Sequence, residues 1–151
     1  MTQDVDLTLL TGFGNEGAFV DGLLAGFEGR RPDARSFALR YRVLLLRASN
    51  GVPLDVALGA MPFEERAVER SSPFAVGGGA SLLTCSAEDL VVFKAFAGRD
   101  KDWLDIDGVL VRQTGRFDEE LVWRELRPLL EIKPSPETES RLRTLIERSR
   151  S

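Results

Sequence analysis

Asn50-Gly51, set between Tyr41-Arg42-Val43-Leu44-Leu45-Leu46-Arg47-Ala48-Ser49 and Val52-Pro53-Leu54-Asp55-Val56-Ala57-Leu58-Gly59, constrains this chain more than any other pair of residues. Both flanking runs read as strands, and Asn-Gly closes tight hairpins because both central positions of a type I′ turn need positive φ. The pair therefore predicts two antiparallel strands in fixed register. In the second arm, side-chain alternation puts Leu54, Val56 and Leu58 on one face and Asp55 on the other. An acid on such a strand is either solvent-facing or paired with something positive. Pro53, which has no amide hydrogen, points to an edge or bulged position at the start of that arm.

A further strand is expected at the N-terminus, in Thr2-Gln3-Asp4-Val5-Asp6-Leu7 running on through Thr8-Leu9-Leu10. Alternation projects Asp4 and Asp6 to one side and leaves Val5, Leu7 and Leu9 for apolar contact. Two carboxylates so close repel unless a cation or hydrogen-bond donors compensate. Magnesium, a hard ion that prefers oxygen ligands, would compensate them; solvated acids on a frayed strand are the plain alternative. With Asp55 the chain offers three candidate ligands.

The 151 residues suit one compact core, with room for a small helical appendage. We expect an α/β core over residues 1–85 and a helical segment over 86–151. A net charge of −4 argues against a protein that coats nucleic acid, while leaving room for a local basic groove. The chain has no histidine, which removes Ser-His-Asp and Cys-His catalysis in their usual form and histidine-ligated zinc. The single Cys85 forms no internal disulfide, and no charged-then-apolar leader opens the sequence. A cytoplasmic setting is expected. The longest apolar runs, such as Val43-Leu44-Leu45-Leu46, are too short to span a bilayer, so no membrane association is expected.

Gly12-Phe13-Gly14-Asn15-Glu16-Gly17 satisfies G-x-G-x-x-G, but a dinucleotide site also needs a second strand ending in an acid about twenty positions on, and Asp33 falls in a polar loop. The alternative is a turn with Asn15 capping a helix through Phe19, Val20, Leu23, Leu24 and Phe27. Pro62 to Ser71 reads as a short helix whose Glu64, Glu65 and Glu69 form a solvated face with Arg66 and Arg70. Short strands around Gly77-Gly78-Gly79 follow, with Cys85 expected to be a small buried apolar residue. Ser86 opens a helix ending near Gly98, and Arg99-Asp100-Lys101-Asp102 opens another, with Lys101 and Asp105 spaced for an i,i+4 pair. Asp118 caps a third helix, and Ser135-Pro136 starts a last, basic, exposed one ending at Ser151.

Asp-Val-Asp on one strand, a helix, a hairpin carrying Asp55 and a helical tail together resemble the nucleotidyltransferase superfamily, and within it the AbiEii-type toxins of toxin–antitoxin systems. Those proteins carry a downstream K-x-x-x-x-R-x-K-D-x-x-D pattern, which Lys94, Arg99, Lys101, Asp102 and Asp105 match at each specified position. The resemblance implies an α/β (α+β) fold: a nucleotidyltransferase-like mixed sheet flanked by helices and followed by a C-terminal helical segment. It implies that Asp4, Asp6 and Asp55 hold two magnesium ions and a nucleoside triphosphate, from which a nucleoside monophosphate passes to an RNA (tRNA) or protein hydroxyl. Lys94, Arg99 and Lys101 would neutralise phosphate charge, and Asp102 or Asp105 would orient them. Arg30, Arg31, Arg35, Arg40, Arg42 and Arg47 are candidates for an acceptor groove, or for an ordinary charged surface. A cognate antitoxin or a second copy of the chain would be the partner.

The family's Gly-Gly or Gly-Ser turn upstream of the D-x-D strand is missing from the few residues before Asp4, which reads either as a sequence that starts too late to include it or as a pared-down relative that has lost turnover. That gap supports the alternative of a catalytically inactive interaction module or oligomeric partner subunit, with an uncovered apolar sheet face. A small NAD-binding protein is a third reading, resting only on Gly12, Gly14 and Gly17.

Overall fold

The computed structural model describes residues 4–150, so Thr2 and Gln3 of the first expected strand, and Ser151 at the expected end of the last helix, lie outside the described residues. The fold is mixed α+β, with a four-stranded mixed sheet and a second, two-stranded sheet. The chain divides into two compact units, Met1–Arg66 and Ala67–Ser151. The strand pair around the triple glycine thus groups with the helices, and the division falls earlier than residue 85.

In the first unit, β1 (Val5–Leu10), α1 (Glu16–Gly26), β2 (Glu28–Gly29), α2 (Ala34–Tyr41), β3 (Val43–Arg47) and β4 (Pro53–Gly59) follow in order. The sheet order is β1-β4-β3-β2, with β1 parallel to β4 and the remaining pairs antiparallel. Alternation does what the apolar pattern requires. Leu44, Leu46, Val56 and Leu58 share one face and are buried with Val20 of α1 and Ala34 and Ala38 of α2, while Leu9, Leu23, Leu24 and Leu54 pack around them. On that same face of the edge strand β1, Val5 and Leu7 stay 37% and 41% exposed. Gly29 is required for a close approach: a Cβ there would lie 2.8 Å from the Ala34 Cβ.

The hairpin forms, but its turn differs from the one its sequence predicts. Arg42 is the only non-glycine with positive φ among the described residues, so Asn50 does not adopt the type I′ conformation. Instead Ala48 N–H donates to Val52 O at 2.9 Å and Gly51 N–H to Ala48 O at 2.8 Å, with Gly51 at φ 86°. This three-residue loop needs only one left-handed position. Tyr41, expected at the start of the first arm, instead ends α2, and Arg42 at φ 57° turns the chain into β3. Pro53 is the first residue of a central strand, where a missing amide also costs no ladder bond.

The second unit holds β5 (Ser72–Gly77), β6 (Ala80–Thr84), α4 (Ala87–Ala97), α5 (Asp100–Arg112), α6 (Glu119–Ile132) and α7 (Pro136–Ser149); α3 (Pro62–Glu69) carries the chain from one unit into the next. Helix α4 packs against α5 and α6, and α5 against α7. The caps follow the sequence in part. Ser86 Oγ accepts from Asp89 N–H at 3.0 Å and Asp118 Oδ1 from Leu121 N–H at 3.0 Å, whereas Asn15 sits at the α1 N-cap without a side-chain capping bond. Three expectations are corrected here. Thr138, Leu142 and Ile146 are buried, so α7 is a packed helix. Glu64 is nearly buried because its carboxylate accepts from the backbone N–H groups of Ala60 and Met61, both at 2.8 Å. Cys85 is exposed, because β6 has no covering layer within its unit.

Candidate metal centre

The parallel register of β1 on β4 pairs Asp6 with Asp55 on one face, and Asp4 lies in the bend just before β1, outside the strand in which it is expected. One carboxylate oxygen from each of the three lies within 4.8 Å of the others. This face is opposite the buried one, so the acids gather where the sheet turns polar. Asp4 and Asp55 are half-buried and Asp6 is exposed. Three hard oxygen donors at such spacing suit a hard divalent cation, which binds carboxylates directly or through its own water.

Asp55 also has a cation of its own. The Arg30 guanidinium donates through Nη2 to Asp55 Oδ1. Arg30 is placed by backbone pairing: its N–H donates to Leu45 O at 2.9 Å, and Leu45 is the residue of β3 opposite Asp55. The Arg30 Nε is buried and has no hydrogen-bond partner among the described residues. Of the two alternatives for Asp55, solvent-facing or paired with a cation, the structure shows the pair, and its partner is one of the arginines considered for a groove or a charged surface. The cross-strand register that joins them is not visible in a local motif.

Three of the other five arginines of that group are paired with nearby acids. Arg31 pairs with Asp33 at 2.9 Å, Arg35 with Asp21 at 2.7 Å, and Arg42 with Glu16. Arg42 also donates to Leu58 O at 2.6 Å and Gly12 O at 3.1 Å, which ties the Gly12 turn to the end of β4. Hydrogen bonds from its own backbone N–H, with help from Arg42, hold the Glu16 carboxyl below its ordinary range. A pyrophosphate at the N-terminus of α1 would therefore meet a carboxylate, which weakens the dinucleotide reading of Gly12, Gly14 and Gly17.

Lys94, Arg99, Lys101, Asp102 and Asp105 all belong to the second unit. Arg99 grips the fully buried Asp102 through Nε at 2.7 Å and Nη2 at 3.1 Å, and its backbone N–H donates to the same carboxylate at 3.1 Å. Lys94 reaches Asp105 at 2.7 Å and Asp102 at 3.7 Å. The expected Lys101–Asp105 pair is thus replaced by Lys94–Asp105, and exposed Lys101 stands apart from the cluster. Burial raises the Asp102 pKa, but the Arg99 hydrogen bonds and the Arg99 and Lys94 charges outweigh it and hold the carboxyl below its ordinary value. The K-x-x-x-x-R-x-K-D-x-x-D spacing therefore has a structural use: it locks the corner between α4 and α5.

With this geometry known, comparison adds no relative. No protein-family model matches the chain, and a search of curated proteins finds no significant match. Among the described residues, no helix is long and apolar enough to cross a membrane.

Proposed function

We propose that the face carrying Asp4, Asp6 and Asp55 binds divalent magnesium with a nucleoside triphosphate, and that the protein is a nucleotidyltransferase-like enzyme. The supporting observation is the convergence of three carboxylates within 4.8 Å from strands far apart in sequence. Such a set is costly unless compensated, and its all-oxygen chemistry fits two magnesium ions. Bound there, magnesium would supply charge neutralisation at the phosphates as an acceptor hydroxyl displaces pyrophosphate from the α-phosphorus. Asp4, Asp6 and Asp55 would hold the ions, and Asp55 would also help to deprotonate the acceptor hydroxyl. The acceptor in this reading is a hydroxyl of RNA, a tRNA end foremost, or of a protein. A place in a toxin–antitoxin pair comes with the same resemblance, and a cytoplasmic setting fits the lone Cys85.

A second reading has its own support. Arg30 already neutralises Asp55, as a residue retained for structure would be neutralised, and this favours a nucleotidyltransferase-like interaction module without turnover. Calorimetry with ATP, GTP, CTP and UTP, each with and without magnesium, separates the two. The enzyme reading expects magnesium-dependent binding that Asp6→Asn abolishes while the circular dichroism spectrum is unchanged. Binding that ignores both magnesium and the substitution would overturn it in favour of the module.

A further inference from the structure

The hairpin of β5 and β6 is unlike the rest of the molecule. Its strands pair only with each other, antiparallel from Ser72 opposite Thr84 to Gly77 opposite Ala80, and every residue in both strands is exposed. Phe74 is 61% exposed, Val76 51%, Leu82 49% and Leu83 70%. Gly77, Gly78 and Gly79 turn the tip at φ of 94°, 60° and 78°, a run that only glycine adopts readily. From Ser71 to Ala87 the chain has no charged side chain. A two-stranded ribbon without a covered face is marginal in water, and an uncharged apolar edge invites pairing.

The two outer edges are not equivalent. The β5 edge is blunted twice, by Pro73, which offers no amide hydrogen, and by the irregularity between Ala75 and Gly77. Of the two edge strands of the four-stranded sheet, β1 carries Asp6 and the two-residue β2 carries Glu28. The β6 strand, Ala80-Ser81-Leu82-Leu83-Thr84, has no proline, no charge and no register irregularity of its own. In a two-fold antiparallel contact residue i faces residue j of the copy and j faces i, so a charged strand brings like charges close together and an uncharged one does not.

We propose that β6 is a self-association edge: β6 pairs antiparallel with β6 of a second copy, making a continuous β5-β6-β6-β5 sheet across a two-fold axis. Phe74 and Leu82, opposite one another in the register, then extend one apolar face through the dimer, and Pro73 with Leu83 extends the other. Strands of 6 and 5 residues are far smaller than the roughly 20–30 residues per side of a standard interface, so the dimer is a micromolar one.

Sedimentation velocity of the whole chain from about 1 to 200 µM tests this, a range that brackets such an affinity. The expected result is a concentration-dependent shift from the 16.7 kDa chain to twice that mass. Leu82→Lys and Leu83→Lys each change an exposed side chain, so native circular dichroism is retained while dissociation rises by about tenfold or more, because each places two like charges close together across the two-fold contact. Leu104→Lys, at a still more exposed position on α5, leaves association unchanged. A single 16.7 kDa species throughout overturns the proposal, as does a dimer indifferent to both β6 substitutions. Monomers that co-sediment with phosphatidylcholine vesicles in a Leu83-dependent way also overturn it and assign the hairpin to lipid.

Discussion

Removing Arg30 gives a direct measurement of whether the three acids are a cation site. A divalent ion held about 4 Å from a stationary guanidinium is opposed by about 8 kcal/mol at an effective dielectric of 20. Arg30 must therefore leave Asp55 before the ion is seated. The two side chains are 24% and 30% exposed, so the ion pair that is broken is a partly solvated one, worth about 0.2–1 kcal/mol. Arg30→Met spares the incoming ion that cost, and its affinity should tighten by about 1.4- to 5-fold. Manganese titrated calorimetrically into the native chain and the variant reads this difference directly. Arg31→Met is the control, because it removes the same charge one residue away from an exposed pair with Asp33 and touches none of the three acids. Equal tightening in both variants would reduce the effect to net charge. Weaker binding in Arg30→Met would refute the competition and make Arg30 a support for the ion.

Three further outcomes follow from the packing. Arg70 compensates two buried carboxylates, Asp89 at 2.6 Å and Glu125 at 2.9 Å, so Arg70→Met should cost about 3 kcal/mol in urea unfolding; a loss below about 1 kcal/mol would mean that the acids find other partners. The Asp102 carboxyl is held below its unfolded-state value, so the stability it contributes is complete above about pH 4 and is lost as pH falls through the folded-state value. Thermal melts followed by circular dichroism between about pH 6 and pH 2 should show that acid loss, shallower in Asp102→Asn. Gly29→Ala drives a methyl against the Ala34 Cβ at 2.8 Å, and neither atom has a flexible side chain to yield. The expected loss is about 1–3 kcal/mol, read by chemical denaturation, with manganese affinity also altered because Arg30 is the next residue.

Legibility differs with the range of the interaction. Alternation alone puts Asp55 on the face opposite Leu54, Val56 and Leu58, and Ser86 and Asp118 are legible as caps because a cap bonds within three residues. Glu64 and α7 were read as solvated from their charges, yet Glu64 caps backbone amides and α7 buries Leu142 and Ile146. Composition reports how polar a helix is, whereas burial depends on what packs against its narrow apolar stripe. Lys94 rather than Lys101 took Asp105 for a similar reason, since the turn at Gly98 brings the end of α4 back onto the start of α5.

By itself the sequence determined the local periods: which residues alternate, where most helices begin, and that the chain turns at Asn50-Gly51. The tertiary structure decided strand partnership. Parallel pairing of β1 on β4 set Asp6 opposite Asp55, and pairing near β2 set Arg30 against the same acid. A side chain's face follows from its own backbone geometry, but its distant neighbour follows from closing long loops around a shared apolar core, a choice to which every residue of the unit contributes.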